Sequence, residues 1–464
     1  MLSPDITSSA SGIWTSLWHA LTYQVPHNTS VVLRGTTALG LACGVVGTFL
    51  LLRKRSLVAD ALSHAALPGV AVGFLLATWL NAVANLQLEA RSLAVLIPAA
   101  AVFGMLGVLC VHLLSSVRRV KEDAAIGAVL SVFFAVGIVL LGVIQRLPLG
   151  NIAGLNQFIF GQAATMSAHD ANLILALALV VVALAAVAHK ELKLLCFDTA
   201  FTRGIGWPSF ALDGLLLAMV TTLTVIGLNA VGALLMVALL IIPPAAARFW
   251  TQQLTLMIVL AALIGGLSCH IGTACSAVID RLPTGPAIVV ACGTLFIVSM
   301  LIAPQRGLIA AIVQRFALAR TIARQHLLRA MYEQEEILGS EDGVISPADL
   351  RARRTWTPRA LARIIRRELR RGEIRRANGG YALTPAGRDA AARIVRTHRI
   401  WEHFLATQAD IAPSHVDRAA DDIEHVLSDE LIRELEQELR ATGALRAGEF
   451  VPRSAHALAG KEQA

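Results

Sequence analysis

Charge is scarce in this chain. Only 16% of its 464 residues are Asp, Glu, Lys or Arg, against 56% apolar residues, and the mean hydropathy is +0.64. A soluble bundle of this length needs a far more polar outer face, so that class is excluded for the chain as a whole. A G-x-x-x-x-G-K-[ST] phosphate loop is also missing; if ATP drives what this chain does, the ATPase must be another polypeptide. The six cysteines, Cys43, Cys110, Cys196, Cys269, Cys275 and Cys292, have no metal-knuckle spacing. Five lie in or near apolar runs, where small thiols are ordinary packing residues. No secretory signal peptide with a cleavage site is evident, and no residue set resembles a hydrolase or transferase site.

The charge that is present is unevenly placed. Of the 40 Lys and Arg and the 32 Asp and Glu, 25 fall within residues 1–310 and 47 within the last 154. The first region carries the long apolar stretches Val31–Leu52, Leu93–Leu114, Ala124–Ile144, Ala171–Ala188, Leu212–Val225, Ala230–Ala247, Leu254–Ala274 and Pro286–Ile302. Several reach or approach the roughly 20 residues that cross hydrocarbon. Their Gly and Ala content suits helices that pack closely in lipid. Arg53, Lys54 and Arg55, then Arg118, Arg119 and Lys121, then Lys190 and Lys193, and later Arg248 and Arg306 close the ends that the positive-inside tendency assigns to the cytoplasm. The expected fold is an all-α polytopic membrane bundle of about nine spans (range eight to ten), its N-terminus outside. The stretches Leu212–Val225 and Ala230–Ala247 are hard to divide from pattern alone.

Asp60 and His64 stand out in KRSLVADALSHAALPGVAVGFLL. Four residues apart, they share one face of a helix that continues into an apolar run. An unpartnered carboxylate at that depth costs several kcal/mol, whereas a carboxylate with an imidazole forms part of a shell for Mn²⁺, Fe²⁺ or Zn²⁺. Pro68-Gly69 follows and is expected to loosen the helix, as in helices that line transport sites. The plainer alternative is a helix-start Asp with an interfacial His. Asp213, near a helix start, reads as interfacial. His270, between Cys269 and Cys275, reads as a packing histidine, with an extra ligand as the alternative. Asp280 precedes Arg281 and Pro283; it is either half of a local pair or an entrance carboxylate for cations. The segment LLCFDTAFTRGIGW, Leu194–Trp207, is either a surface loop or a short helix along the cytoplasmic face on which a partner could push.

Beyond Arg306 the composition changes. Helices are expected over Ala317–Glu336, Ser346–Ala352 and Thr357–Arg370, with Ser346 and Thr357 as N-caps and Pro347 and Pro358 in the first turns. The third is strongly basic, with Arg359, Arg363, Arg366, Arg367 and Arg370. GEIRRANGGYALT then reads as two short strands around Asn378-Gly379-Gly380. This order describes a winged helix-turn-helix whose basic helix enters a groove of DNA; a solvated face, or one docked on anionic lipid, is the alternative. Further helices are expected over Pro385–Gln408, Val416–Val426 and Leu431–Leu439. His398 and Glu402 are four apart, and Asp417, Asp421, Glu424 and His425 fall along one face, as a divalent-metal site requires; a solvated acidic face is the alternative for the second group.

Two resemblances follow. Residues 30–310 resemble the metal permease subunit of manganese, zinc and iron ABC importers, through LRKRSLVADALSHAALPGVAVGFLL, VKEDAAIGAVLSVFFAVGIVLLG, FIFGQAA, AVGALLMVALLIIPPAAARF and DRLPTGPAIVV. That resemblance implies a multi-pass protein of the bacterial cytoplasmic membrane that is not itself an enzyme. Its partners would be a separate cytoplasmic ABC ATPase, an extracytoplasmic metal-binding protein, and a second permease chain, identical or paralogous. It implies metal handling by Asp60 and His64, and ATPase contact through Phe197, Asp198, Phe201, Arg203 and Gly204. Residues 322–450 resemble the diphtheria-toxin-repressor-like iron- and manganese-dependent regulators, through HLLRAMYEQEE, LTPAGRDAAARIVRTHRIWEHFL and DDIEHVLSDELIRELEQEL. That implies one metal site from His326, Asp421, Glu424 and His425 and another from His398, Glu402 and Asp417, with dimerisation and operator DNA as partner. A first-helix His and an Asp at the usual Cys or Glu position depart from the commoner patterns. The implied organisation is a lead-in (1–29), a permease domain (30–310), a winged helix-turn-helix domain (311–383), a helical metal-binding and dimerisation domain (384–445) and a flexible tail (446–464). The C-terminal region would bind DNA, or gate transport by metal occupancy without DNA; alternatively the membrane region only anchors a regulator.

Overall fold

The computed structural model describes residues 15–84, 93–116, 120–146, 166–279, 281–340, 343–408, 429–441 and 451–452. They divide into two compact units, residues 1–311 and 312–464.

The first unit is helical throughout its described residues. After a short helix over residues 15–21 come α1 (His27–Leu52), α2 (Ser56–Ala84), α3 (Leu93–Ser116), α4 (Glu122–Arg146), α5 (Ala168–Val187), α6 (His189–Phe197), α7 (Thr199–Gly204), α8 (Ser209–Val231), α9 (Ala233–Trp250), α10 (Leu254–Val278) and α11 (Thr284–Ile302). Among the described residues eight helices are long and apolar enough to cross a membrane, and the shorter apolar helix Leu235–Trp250 is a ninth candidate. The boundary that pattern could not place falls at Gly232, whose φ of +86° separates α8 from α9; only glycine adopts that conformation without strain. Large apolar side chains are left exposed on the spans, such as Leu109, Val132, Val139, Leu179 and Val290, as suits helices surrounded by lipid or by another membrane chain.

Helix α1 is the axis of the core. Val32, Leu39, Val46 and Phe49 are buried against Leu216, Val220 and Leu223 of α8 and Leu235 and Leu239 of α9. Its other side touches α10 backbone to backbone: a Cβ on Gly40 would meet the Gly265 carbonyl oxygen at 2.4 Å, and one on Gly44 the Ala261 carbonyl oxygen at 2.2 Å. Small residues permit this approach, which gains dispersion contacts where no hydrophobic effect operates between helices. Helix α2 is seated in the same way, with Gly69 on Ala99 and Ala100 of α3. Contrary to expectation, α2 runs unbroken through Pro68. Gly137 of α4 lies against Leu67 and the Pro68 ring, so packing supports a turn that lacks one backbone donor.

The second unit begins within α12 (Leu308–Leu338) and continues through α13 (Pro347–Arg353), α14 (Pro358–Arg371), β1 (Ile374–Ala377), β2 (Gly380–Leu383), α15 (Pro385–Gln408) and α16 (Asp429–Ala441). Helix α12 starts nine residues before the expected Ala317, because nothing after Gly307 breaks the helix. Ser346 and Asp349 form a capping box at α13, and the Thr357 hydroxyl accepts from the Ala360 amide at α14. Strands β1 and β2 pair antiparallel, Ile374 with Leu383 and Ala377 with Gly380, around a turn in which Gly379 has φ +94°. Leu327, Leu328, Met331, Leu350, Leu361, Ile365, Ile374 and Leu383 share one core. A second, smaller core joins Ile400 of α15 to Ile432, Leu435 and Leu439 of α16.

Candidate metal pathway and regulator sites

Asp60 and His64 lie in successive turns near the start of α2. His64 Nε2 is 3.4 Å from Asp60 Oδ1, with the two side chains 20% and 35% exposed. That separation is longer than an ordinary hydrogen bond. The His64 ring meets Phe134 of α4 edge-on, with centroids 4.8 Å apart, and its Nδ1 is buried without a hydrogen-bond partner. A carboxylate and a buried imidazole nitrogen in successive turns are the donor types that divalent transition metals accept. Asp280 lies outside the described residues. His270 is satisfied within the bundle: Nε2 donates to the Leu21 carbonyl at 3.0 Å, Nδ1 faces the Thr37 hydroxyl at 3.4 Å, and the ring packs on Tyr23.

The Leu194–Trp207 segment forms helix, not open loop. Asp198 separates α6 from α7 and caps α7, its Oδ1 accepting from the Phe201 amide at 2.8 Å. The cap turns Phe197 and Phe201 outward, 66% and 54% exposed. Arg203 donates from Nε to Ser209 Oγ at 3.2 Å, and Gly204 ends the short helix.

In the C-terminal unit Arg359, Arg363, Arg366 and Arg370 are exposed along one stripe of α14, while Leu361, Ile365 and Glu368 are buried on its opposite side and Arg367 is half-buried. His398 and Glu402 are fully buried and bonded to each other, Nε2 to Oε1, at 2.9 Å. His326 instead meets the Arg354 guanidinium through Nδ1. Asp417, Asp421, Glu424 and His425 lie outside the described residues. Among the described residues no three or more His, Cys, Asp or Glu are grouped to hold a metal ion.

The sequence model of the ABC 3 transport family matches residues 27–303, the whole helical bundle. The chain belongs to the ABC 3 transport family. A second model, the metal binding and dimerisation domain of iron dependent repressors, matches residues 384–442. The manganese transport system membrane protein MntC of Bacillus subtilis is 39% identical over 401 residues, 86% of this chain and 88% of the relative. The zinc transport system membrane protein TroC of Treponema pallidum is 40% identical over 278 residues, 60% of this chain and 90% of the relative. Among solved structures, PsaBC from Streptococcus pneumoniae in complex with Fab aligns with TM-score 0.53 and 29% identity, over 61% of this chain and 94% of that one.

Within this ABC 3 permease, sequence reasoning missed one cluster. Asp213, read as interfacial, accepts from Arg53 Nη2 at 2.9 Å on both oxygens and from Arg55 Nη1 at 3.0 Å. Arg53 Nη1 also donates to the Leu195 carbonyl at 3.1 Å. Asp213 and Arg53 together join the end of α1, the start of α8 and the last turn of α6. The only signal in the sequence was a lone Asp in an otherwise uncharged helix.

Proposed function

We propose that this chain is the permease subunit of an ATP-driven importer of a divalent transition metal, manganese, iron or zinc, with its C-terminal unit in the cytoplasm. The observation that carries the reading is the Asp60–His64 pair, whose His64 Nδ1 is buried and unpartnered at the head of a membrane-spanning helix. Kinship with MntC and TroC supports a transition metal as cargo. Two ligands from one chain are an incomplete shell, so pairing of two permease chains, identical or paralogous, would bring two such pairs to one pathway. A separate ATPase would dock on α6 and α7, where Phe197 and Phe201 supply exposed apolar anchors and Arg203 a cation. An extracytoplasmic metal-binding protein would deliver the ion. The test is uptake of radioactive manganese and zinc by cells bearing Asp60→Ala or His64→Ala at parental membrane levels. Loss of uptake is expected; parental uptake would remove the pathway assignment.

For the C-terminal unit the arginine stripe of α14, with exposed Arg375 and Arg376 on the adjacent strand, favours nucleic-acid backbone as partner over gating alone. A metal response of this unit would draw on the ligand sets that the repressor resemblance implies, His326 with Asp421, Glu424 and His425, and His398 with Glu402 and Asp417. Binding of operator fragments by the full chain in lipid nanodiscs, measured against salt, separates the readings. Removing Arg363 or Arg366 should lower the log–log salt slope by about 1 each; absence of salt-dependent binding would leave the gate.

A further inference from the structure

The His398–Glu402 pair has the composition of half a metal site, and its surroundings decide what it holds. Arg329 of α12, 3% exposed, places Nη1 2.9 Å from His398 Nδ1. A guanidinium only donates, so Nδ1 accepts. The ring proton then sits on Nε2 and is donated to Glu402 Oε1 at 2.9 Å. A neutral imidazole has a single ring lone pair, the one through which it would bind a metal, and here a guanidinium N–H occupies it. On its other edge Arg329 donates from Nε to Glu333 Oε1 at 2.7 Å. The second oxygen of Glu333 faces Arg353 Nη1 at 3.3 Å, and Arg353 Nε donates to Gln334 Oε1 at 2.7 Å. A continuous chain of Arg353, Glu333, Arg329, His398 and Glu402 therefore ties α13 to α12 and α12 to α15. A divalent ion bound at His398 would have to expel a buried cation that is already paired, which low-dielectric surroundings make costly. The residues present thus do not fit a resident metal at this pair.

We propose that Arg329 takes the place of a divalent cation at His398 and Glu402, so that this pair is a permanent, metal-independent clamp between α12 and α15. The clamp keeps the winged-helix core and the helical segment beyond it joined at any metal concentration. A metal response, if the unit has one, is confined to the other ligand segment. The inference goes beyond the proposed transport and DNA roles and holds whether or not the unit meets DNA.

Amide hydrogen exchange on the full chain in detergent tests it without any substitution. Protection over residues 395–402 should be the same in chelator and in saturating Mn²⁺; a loss of about tenfold or more on chelation would overturn the proposal. Equilibrium dialysis against Mn²⁺ supplies the second measurement, in a background carrying Asp60→Ala and His64→Ala so that pathway ligands do not contribute. His398→Gln should bind as many Mn²⁺ per chain as that background, whereas a drop of about one ion per chain would identify His398 as a ligand. If His398→Gln fails to fold, the exchange result on the unsubstituted chain still decides.

Discussion

Replacing Asp213 with Ala tests what holds α6, one of the two helices proposed to meet the ATPase, against the bundle. The carboxylate is 20% exposed and faces Arg53 and Arg55, 15% and 26% exposed. A fully exposed pair of this kind contributes about 0.2–1 kcal/mol, and loss of one partner from a fully buried pair costs about 3–5 kcal/mol. With roughly four-fifths of each group covered, and two guanidinium groups left facing each other, the cost is about 2 kcal/mol. The loss is local, because Arg53 is also the donor to the Leu195 carbonyl in α6 and loses the carboxylate that orients it. About 2 kcal/mol corresponds to roughly a 30-fold rise in transient opening. Hydrogen exchange over residues 192–198 should therefore accelerate by about that factor, with α1 and α10 unchanged. In proteoliposomes with the partner ATPase, metal moved per ATP should fall. Parental exchange over 192–198 together with parental coupling would refute the argument that Asp213 holds α6 in place.

Other outcomes follow from the same geometry. Gly44→Ala puts a methyl where the Ala261 carbonyl oxygen stands 2.2 Å away; α1 and α10 must separate, at a cost of about 1–3 kcal/mol, read as a lower melting temperature in detergent. Burial pushes the Cys196 thiol up to about 11; nearby Arg53 lowers it and Asp213 raises it. Alkylation at pH 8 should accordingly be slow, quicken as the pH approaches that value, and be faster in Asp213→Ala. Hydrogen bonding from Arg324 holds the Glu373 carboxyl below the usual carboxylate range. Its stabilisation is present above the ordinary carboxylate value and lost as pH falls through the lowered one. Glu373→Gln should therefore melt lower than the parent at pH 7, by about 1–2 kcal/mol, and the gap should close in acid.

Much of this protein is written in short-range pattern. Apolar length marks the membrane helices, because hydrocarbon sets one minimum span. Ser346, Thr357 and the Asn378-Gly379 turn mark the winged-helix elements, because capping and turn chemistry act within four residues. Spacing places Asp60 and His64 on one face for the same reason. Proline rules, by contrast, do not decide whether a helix continues through Pro68: that depends on what packs beside it, and Gly137 of another helix lies 69 residues away in the chain.

The partners that fix each site are of that second kind. Asp213 was legible as a charge in oil but not as the anchor for Arg53, 160 residues earlier. His398 and Glu402 were legible as a candidate ligand pair, while nothing in the pattern marked Arg329 as the cation that meets His398. Periodicity and transfer energy act along a single element, so the sequence by itself determined which segments enter the membrane and where the capped helices α13 and α14 begin. Which buried charge meets which is decided only when helices distant in the chain pack, because a desolvated ionic group is stable only opposite its counterpart.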